Sequence, residues 1–206
     1  MINSSMRLFK LVFILFISFS FSSHIFSQNL KETSDYYFEK YAVEQGTAMN
    51  SSIRIFQDKI GYIWITSQAG LDRFDGYKFT NFANISSDST STNLRWVNSI
   101  NQDSKGNIWF GTHNGASKYN AKIFTNYGIE EGLIGLGCNI LIDRNGDIWA
   151  GTNAGLFRFN GSSFYAFNIP NPVIENPSYS WEAGKVWSLM EDKVGNLWFG
   201  RDGYGA

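Results

Sequence analysis

Four stretches of the chain repeat one pattern, and this repetition limits the possible folds more than any other feature. The pattern begins with Asp, places Gly three residues later and places Trp six residues later. Its residues are Asp58, Gly61 and Trp64; Asp103, Gly106 and Trp109; Asp143, Gly146 and Trp149; and Asp192, Gly195 and Trp198. The Trp residues are 45, 40 and 49 positions apart. One supersecondary unit is therefore repeated, and each copy buries its apolar face against the next.

Each copy divides into four short strands joined by tight turns. In the second copy, apolar and aromatic runs at 97–102, 107–112, 116–119 and 123–127 alternate with turns rich in Asn, Asp and Gly. Such alternation is typical of antiparallel hairpins. Four-stranded antiparallel units of about 40 to 45 residues predict an all-β fold, a β-propeller. A solenoid is the weaker interpretation, because its strands run parallel without hairpin turns.

The spacing of the repeats also predicts the domain boundaries. We expect a signal peptide at 1–27, a partial β-propeller at 28–206, an orphan outer strand at about 37–42, and blades at about 52–82, 96–127, 137–167 and 186–206, the last truncated. Three full blades and about half of a fourth fall short of the 4 to 8 blades of a typical propeller. We therefore expect this sequence to be a fragment of a longer protein.

The first residues have the composition of an export signal. Arg7 and Lys10 form a basic start, and an unbroken apolar run follows at 11–17. Ser27 has the position of a residue before a cleavage site. The apolar run is too short to span a membrane, although an uncleaved anchor is an alternative that the sequence leaves open. We expect the chain to be exported.

The remaining chemistry of the sequence indicates structure rather than catalysis. The net charge is −1, which gives no indication of a nucleic-acid partner. Cys138 is the only cysteine, and its place in an apolar run favours a small buried residue. Asp143 and Asp147 lie in one turn, but a calcium loop needs more oxygen donors. We predict no catalytic residue, metal site or cofactor, and expect each turn Asp to accept backbone N–H bonds.

The repeat continues past Trp in a way that identifies a family. The first copy has Gly-Leu-Asp-Arg-Phe-Asp-Gly at 70–76, and the third has Gly-Leu-Phe-Arg-Phe-Asn-Gly at 155–161. With these motifs the chain resembles the two-component regulator propeller repeat family over residues 38–206. The departures, at Thr66, Ala116 and Arg201, concern single turns.

The resemblance implies a periplasmic ligand sensor, the region that precedes a sensor histidine kinase, often a hybrid one, of Bacteroidetes-type bacteria. Many such sensors detect oligosaccharides. The implied partners are a small-molecule ligand, such as an oligosaccharide, and the downstream signalling domains of the same parent chain, with no nucleic acid. The membrane would be reached only through a downstream helix, and a homodimer of the parent is compatible with the family. This chain itself would not be an enzyme.

Two other functions stay open at this stage. Streptogramin lyase-like propeller enzymes carry similar Asp-x-x-Gly-Asn-x-Trp repeats but lack the Gly-Leu-x-Arg-Phe-Asp-Gly continuation. A secreted propeller that only binds other proteins is the second alternative.

The ligand site is expected on the side of the blades where the repeat varies. In a four-stranded meander, the second turn and the blade-to-blade linker emerge on one side, here called the linker side. The Asp turns emerge on the other, here called the Asp-turn side. Function concentrates on variable loops that a rigid scaffold holds. The candidate ligand-binding residues are Asn93, Arg95, Trp96, His113, Asn114, Asn153 and Trp181. Amides beside indole rings suit a sugar, whereas the alternative is that Trp96 and Trp181 only pack between blades.

Overall fold

The computed structural model describes residues 38–82, 94, 96–170 and 184–201. The expected signal peptide and three candidate site residues, Asn93, Arg95 and Trp181, lie outside these segments. All strands described below belong to the unit that begins at Tyr41. No helix in these segments has the length and apolar character needed to cross a bilayer.

The strands form a series of antiparallel sheets, and each sheet corresponds to one copy of the repeat. Blade 1 consists of β1 Arg54–Gln57, β2 Ile63–Ser67, β3 Gly70–Phe74 and β4 Phe79–Asn81. Blade 2 consists of β5 Val97–Gln102, β6 Ile108–Thr112, β7 Gly115–Tyr119 and β8 Phe124–Tyr127. Blade 3 consists of β9 Asn139–Ile142, β10 Ile148–Thr152, β11 Gly155–Phe159 and β12 Phe164–Phe167, and blade 4 of β13 Val186–Glu191 and β14 Leu197–Arg201. Within each sheet the strands pair in chain order. The predicted all-β propeller class is confirmed, with three four-stranded blades and two strands of a fourth within the described residues.

A hydrogen bond between Asp and Trp ties the first turn of every blade to its second strand. In blade 2, Oδ1 of Asp103 accepts the backbone N–H groups of Lys105 and Asn107 at 3.0 and 2.8 Å. Its Oδ2 accepts the indole N–H of Trp109 at 3.1 Å. The same indole bond measures 2.8 Å in blade 1, 2.9 Å in blade 3 and 3.1 Å in blade 4. The backbone bonds confirm the predicted role of the turn Asp, and the indole bond explains the six-residue spacing.

The Gly of each Asp turn has a backbone conformation that other residues rarely adopt. Its φ is 107°, 87°, 85° and 98° in blades 1 to 4. In blade 2 the N–H of Gly106 also donates to the backbone oxygen of Asp103 at 3.1 Å. Glycine is therefore required here because it has no Cβ to clash in the left-handed region.

A cation lies over the Trp ring of each four-stranded blade. Arg73, Lys118 and Arg158 stand on the third strand, directly opposite Trp on the second. Their charged groups lie 5.7, 5.6 and 5.3 Å from the ring centroids in blades 1, 2 and 3. Cation–π attraction contributes about 0.5–1 kcal/mol at partly exposed sites. The indole is thus held at its N–H edge by a carboxylate and at one face by a cation.

The Trp rings also form the core between consecutive blades. Each lies 5.2–5.9 Å from a Phe ring of the following blade, in the pairs Trp64–Phe110, Trp109–Phe159 and Trp149–Phe199. These three indoles are 1%, 1% and 5% exposed, which confirms their predicted burial. Trp198 in blade 4 is 46% exposed, because the described residues include no blade beyond it.

Neighbouring blades come into close contact at the second position after Trp. A Cβ atom on Gly111 would lie 2.5 Å from the backbone oxygen of Cys138 in blade 3, so this position in blade 2 accepts no side chain. Blade 1 has Thr66 at this position. Its fully buried side chain accepts the N–H of Arg54 at 3.1 Å, so the hydroxyl that this residue buries is hydrogen-bonded.

Residues 38–42 form no strand in the described structure. The expected orphan outer strand at about 37–42 stays a prediction, because the described residues include no blade with which it would pair. The ring of Tyr41 instead lies 5.0 Å from that of Phe74 and 5.6 Å from that of Phe79. A single 3₁₀ turn follows at Val43–Gln45. A strand needs a neighbouring backbone edge for its hydrogen bonds. Here the chain meets aromatic side chains of blade 1 instead.

The buried carboxylate of Asp72 fixes this N-terminal segment to blade 1. Asp72 is 1% exposed and accepts the N–H of Ala48 at 2.8 Å and the side-chain amide of Asn81 at 2.9 Å. Burial raises the pKa of Asp72, and the two hydrogen bonds oppose this rise. The repeat pattern does not predict the contact between Asp72 and Ala48, because Asp is not repeated at this position: blades 2 and 3 have Ser117 and Phe157 there.

We predict that Trp109→Ala lowers the free energy of unfolding by about 3–5 kcal/mol, because it leaves a cavity between blades 2 and 3. The control change Tyr77→Ala, at an aromatic ring in blade 1 that is 96% exposed, should cost about 0.5 kcal/mol or less. Urea denaturation of the intact protein measures both. Equal losses in the two variants would contradict the packing role.

We predict a pH-dependent loss of stability in Asp103→Asn. Burial alone would raise the pKa of Asp103, but hydrogen bonds from Asn107, Trp109 and Lys105 outweigh it and lower the pKa. The carboxylate therefore stabilises the fold above its unfolded pKa of about 3.9. This contribution is lost as pH falls through the lower folded pKa.

Denaturation at a series of pH values tests this expectation. The variant should lose about 1–2 kcal/mol at neutral pH, and the difference from the unmodified protein should narrow below about pH 3. Asp75→Asn removes two backbone hydrogen bonds from an exposed turn of blade 1, so its loss should be smaller. A difference for Asp103→Asn that does not change with pH would exclude the charge as its cause.

Candidate functional site

The largest described cleft on the linker side is formed where residues of all four blades meet. Its volume is about 420 Å³, within the range of small-molecule sites. The lining residues are Arg54, Asn98, His113, Leu136, Gly137, Asn139, Asn153 and Trp187. We call this site the linker-side cleft.

Two of the residues that the sequence indicates lie in the linker-side cleft. His113 comes from the β6–β7 turn and Asn153 from the β10–β11 turn. Asn114, next to His113, is exposed but does not line the cleft. Trp96 precedes β5 and is 51% exposed, with a φ of 57° that is unusual for a bulky residue.

Hydrogen bonds from the β6–β7 and β10–β11 turns fix the position of the linker between blades 2 and 3. The side-chain oxygen of Asn153 accepts the N–H of Leu136 at 2.7 Å, and the N–H of Asn153 donates to the Leu136 oxygen at 3.0 Å. The N–H of Gly137 donates to the backbone oxygen of His113 at 2.8 Å. Asn153 is therefore a structural residue of the cleft wall as well as a polar group facing it.

Sequence reasoning missed six of the lining residues. Leu136 and Gly137 belong to a linker, and the other four lie at the start of the innermost strands. Arg54 and Asn139 stand four residues before the turn Asp of their blades, and Asn98 and Trp187 stand five before. The innermost strands of a propeller surround its central channel. Polar or exposed aromatic residues at the first positions of these strands were the available signal.

These residues also connect neighbouring blades. Nε of Arg54 donates to the backbone oxygen of Asn98 at 2.9 Å, and the amide of Asn139 donates to the backbone oxygen of Trp187 at 3.0 Å. The amide of Asn98 reaches the backbone oxygen of Cys138 at 3.5 Å. The cleft wall is thus held by bonds that cross from each blade to the next.

An aromatic surface faces the cleft from blade 4. Trp187 is 48% exposed. A Cβ atom on Gly137 would lie 3.3 Å from the Trp187 ring, so the absence of a side chain at Gly137 makes room for the indole. A half-exposed indole beside amides can stack on an apolar ligand face while the amides bond to its polar edges.

Cys138 lies behind the cleft wall and does not contribute reactive chemistry to it. The thiol is fully buried, and burial strongly raises its pKa. A thiol in this environment stays protonated and is a poor nucleophile. The predicted role of Cys138 as a small buried residue is confirmed.

A smaller cleft of about 250 Å³ lies on the Asp-turn side, between blades 2 and 3. Asp103, Lys105, Lys118 and Asp147 contribute charges of both signs to it. Asp103 and Lys118 already hold Trp109, and Asp147 is paired with Arg158. We therefore assign these groups to the scaffold.

Comparison with known proteins agrees with the geometry of the blades. The sequence model of the two component regulator propeller family matches residues 92–114 and 180–200. The matched residues span the first two strands of blade 2 and of blade 4. The blades define the chain as a β-propeller, and two of its repeats match the two component regulator propeller model.

Among curated proteins, the chain is 38% identical over 60 residues to histidine kinase P4 of Formosa agariphila, a match that covers 29% of this chain and 4% of the kinase. Among solved structures, it resembles the extracellular domain of a protein from B. thetaiotaomicron described as a hybrid two component system. The TM-score is 0.63 at 22% identity, over 82% of this chain and 23% of that one. This chain spans less than a quarter of both relatives.

A third similarity is to an enzyme. Virginiamycin B lyase of Staphylococcus aureus superposes with a TM-score of 0.53 at 16% identity, over 75% of this chain and 50% of the lyase. At this identity the likeness concerns the fold alone.

We predict that Asn153→Ala loosens the linker without unfolding the blades, because it removes the acceptor for the Leu136 N–H. Hydrogen exchange at this N–H should accelerate at least about tenfold. Asn114→Ala is the matched control, since its side chain does not line the cleft, and should leave the exchange rate at Leu136 unchanged. Equal protection of the Leu136 N–H in both variants would contradict this role of the Asn153 side chain.

Proposed function

We propose that this chain is part of the exported ligand-sensing region of a two-component signalling protein. It would bind an oligosaccharide or a similar small polar molecule in the linker-side cleft and carry out no catalysis itself. The observation that carries this proposal is the convergence of amides, an imidazole, a guanidinium and a half-exposed indole from four blades on one cleft.

The groups in the linker-side cleft suit a sugar. Asn98, Asn139 and Asn153 present amides, whose atoms can donate to and accept from hydroxyl groups. Trp187 offers a flat apolar surface for the C–H face of a pyranose ring. Asn93, Arg95 and Trp181, outside the described segments, stay candidates for extending the site along the same side.

The matched repeats and the relatives favour the sensor over the enzyme. The family model describes two component regulator propellers, and one relative is a histidine kinase. A solved relative is described as an extracellular domain, which agrees with the export signal that the sequence predicts at 1–27. The similarity to the lyase involves only the fold.

In this proposal, the signalling output belongs to other domains of the parent protein. Ligand binding in the periplasm would be transmitted to them through a downstream membrane helix, and the parent would work as a homodimer. No nucleic acid would bind to this region.

Binding of saccharides to the intact protein tests the proposal. A glycan array identifies a ligand, and calorimetry then measures its affinity for the variants. Trp187→Ala should weaken binding at least about tenfold, or about 1.4 kcal/mol, with unchanged circular dichroism. Lys105→Ala, on the Asp-turn side, is the control and should bind normally. Normal affinity in Trp187→Ala, or a loss in Lys105→Ala, would place the site elsewhere.

A further inference from the structure

The charges around the linker-side cleft are of one sign. Arg54 carries a permanent positive charge, and the described lining includes no Asp or Glu. The other polar lining groups are three amides and the imidazole of His113. A cleft with one fixed cation and no opposing carboxylate favours a ligand that carries negative charge.

Arg54 differs from other described arginines in what it contacts. Arg144 pairs with Glu191, and Arg158 pairs with Asp147 at 2.6 Å. Arg73 lies over the ring of Tyr62 at 4.5 Å. Within the described segments Arg54 pairs with no carboxylate, and its side chain is exposed at the cleft. Its charge is therefore not neutralised by these segments.

The guanidinium of Arg54 is also held in a fixed orientation. Nε donates to the backbone oxygen of Asn98 at 2.9 Å, and Nη1 donates to the backbone oxygen of Ile53 at 3.0 Å. These bonds restrict the side chain before any ligand arrives, so less conformational entropy is lost on binding. Nη2 makes no hydrogen bond to the described residues. A pre-oriented guanidinium is well suited to carboxylates and to other oxyanions.

The cation and the indole lie on different blades of one cleft. Arg54 belongs to blade 1 and Trp187 to blade 4. A ligand that uses both must therefore combine an oxyanion with a flat C–H surface. Acidic sugars have this combination, because a carboxylate or a sulfate ester projects from a ring whose face is apolar.

We propose that the linker-side cleft selects a saccharide that carries an anionic group, with Arg54 binding the anion and Trp187 stacking on a sugar ring. This inference rests on the proposed function and makes it more specific. Arg54 is then the residue that determines the charge of the ligand, whereas the indole contributes to affinity for charged and neutral sugars alike.

Matched pairs of probes test this inference on the intact protein. Oligogalacturonate and its methyl ester have the same sugar backbone and differ in the charge of the carboxylate and one methyl group per esterified residue. Sulfated and desulfated carrageenan oligosaccharides form a second pair. The charged member of the pair that binds should have at least about tenfold higher affinity. Raising the salt concentration from about 50 to about 500 mM should weaken only the charged member. The pair that binds identifies the anion as a carboxylate or a sulfate ester.

The variant Arg54→Gln removes the charge and keeps an amide that can bond to the Asn98 oxygen. It should weaken the charged probe about tenfold and the neutral probe less than about twofold. Lys105→Gln removes one positive charge on the Asp-turn side and should change neither. An unchanged preference in Arg54→Gln overturns the inference, and the salt dependence of the unmodified protein decides the question if the variant does not fold.

The outcomes separate this inference from the function on which it rests. If neutral saccharides bind as tightly as charged ones, and Trp187→Ala abolishes their binding, the result supports the proposed sensor function and contradicts the inferred preference for an anionic ligand. If no saccharide on the array or in the two pairs binds, both fail.

Discussion

The hydrogen bond between the turn carboxylate and the indole N–H is the interaction on which each blade depends. It fixes the Trp edge at the Asp-turn side, and the cation on the third strand covers one ring face. The ring is thereby positioned to meet a Phe of the following blade. Hydrogen bonds to a charged group contribute about 1.5–3 kcal/mol. A motif of three residues thus connects a turn, a strand pairing and the contact to the next repeat.

The blades are joined by side chains. Aromatic clusters fill the space between consecutive sheets. At the inner strands, amides and one guanidinium donate to backbone oxygens of the following blade, as Asn101 does to Ile140 at 2.7 Å. Buried backbone oxygens need such partners. The contacts let consecutive repeats stack while each sheet keeps its own hydrogen bonds, as is typical of repeat proteins.

This division of roles explains where a ligand site can form. The Asp-turn side is occupied by the residues that hold Trp in every blade. The linker side carries no part of the motif, so its residues vary between blades without loss of the fold. The linker-side cleft uses that freedom, although Arg54 and Asn139 also bond to neighbouring blades. The proposed ligand contacts and the observed blade contacts therefore share residues, and a ligand in the cleft would change how blades 1 to 4 are held together.

Local periodicity allowed much of this structure to be predicted from the sequence. The Asp-x-x-Gly turns, the antiparallel blades and the burial of Trp64, Trp109 and Trp149 follow from residues close together in the chain. The side of the blades that varies could also be inferred, and with it His113 and Asn153. These features depend on hairpin geometry and on the apolar pattern of single strands, and both are present in short segments.

Only the tertiary structure decided which residues share the cleft. Arg54 and Asn98 are 44 positions apart, and Asn139 and Trp187 are 48 apart. Their proximity depends on how far each blade rotates from the last and on the path of the linker, which Asn153 fixes. The contact of Asp72 with Ala48 has the same origin. Long-range packing determines all of these features, and a repeat in the sequence specifies its own fold but not the contacts between distant positions of successive copies.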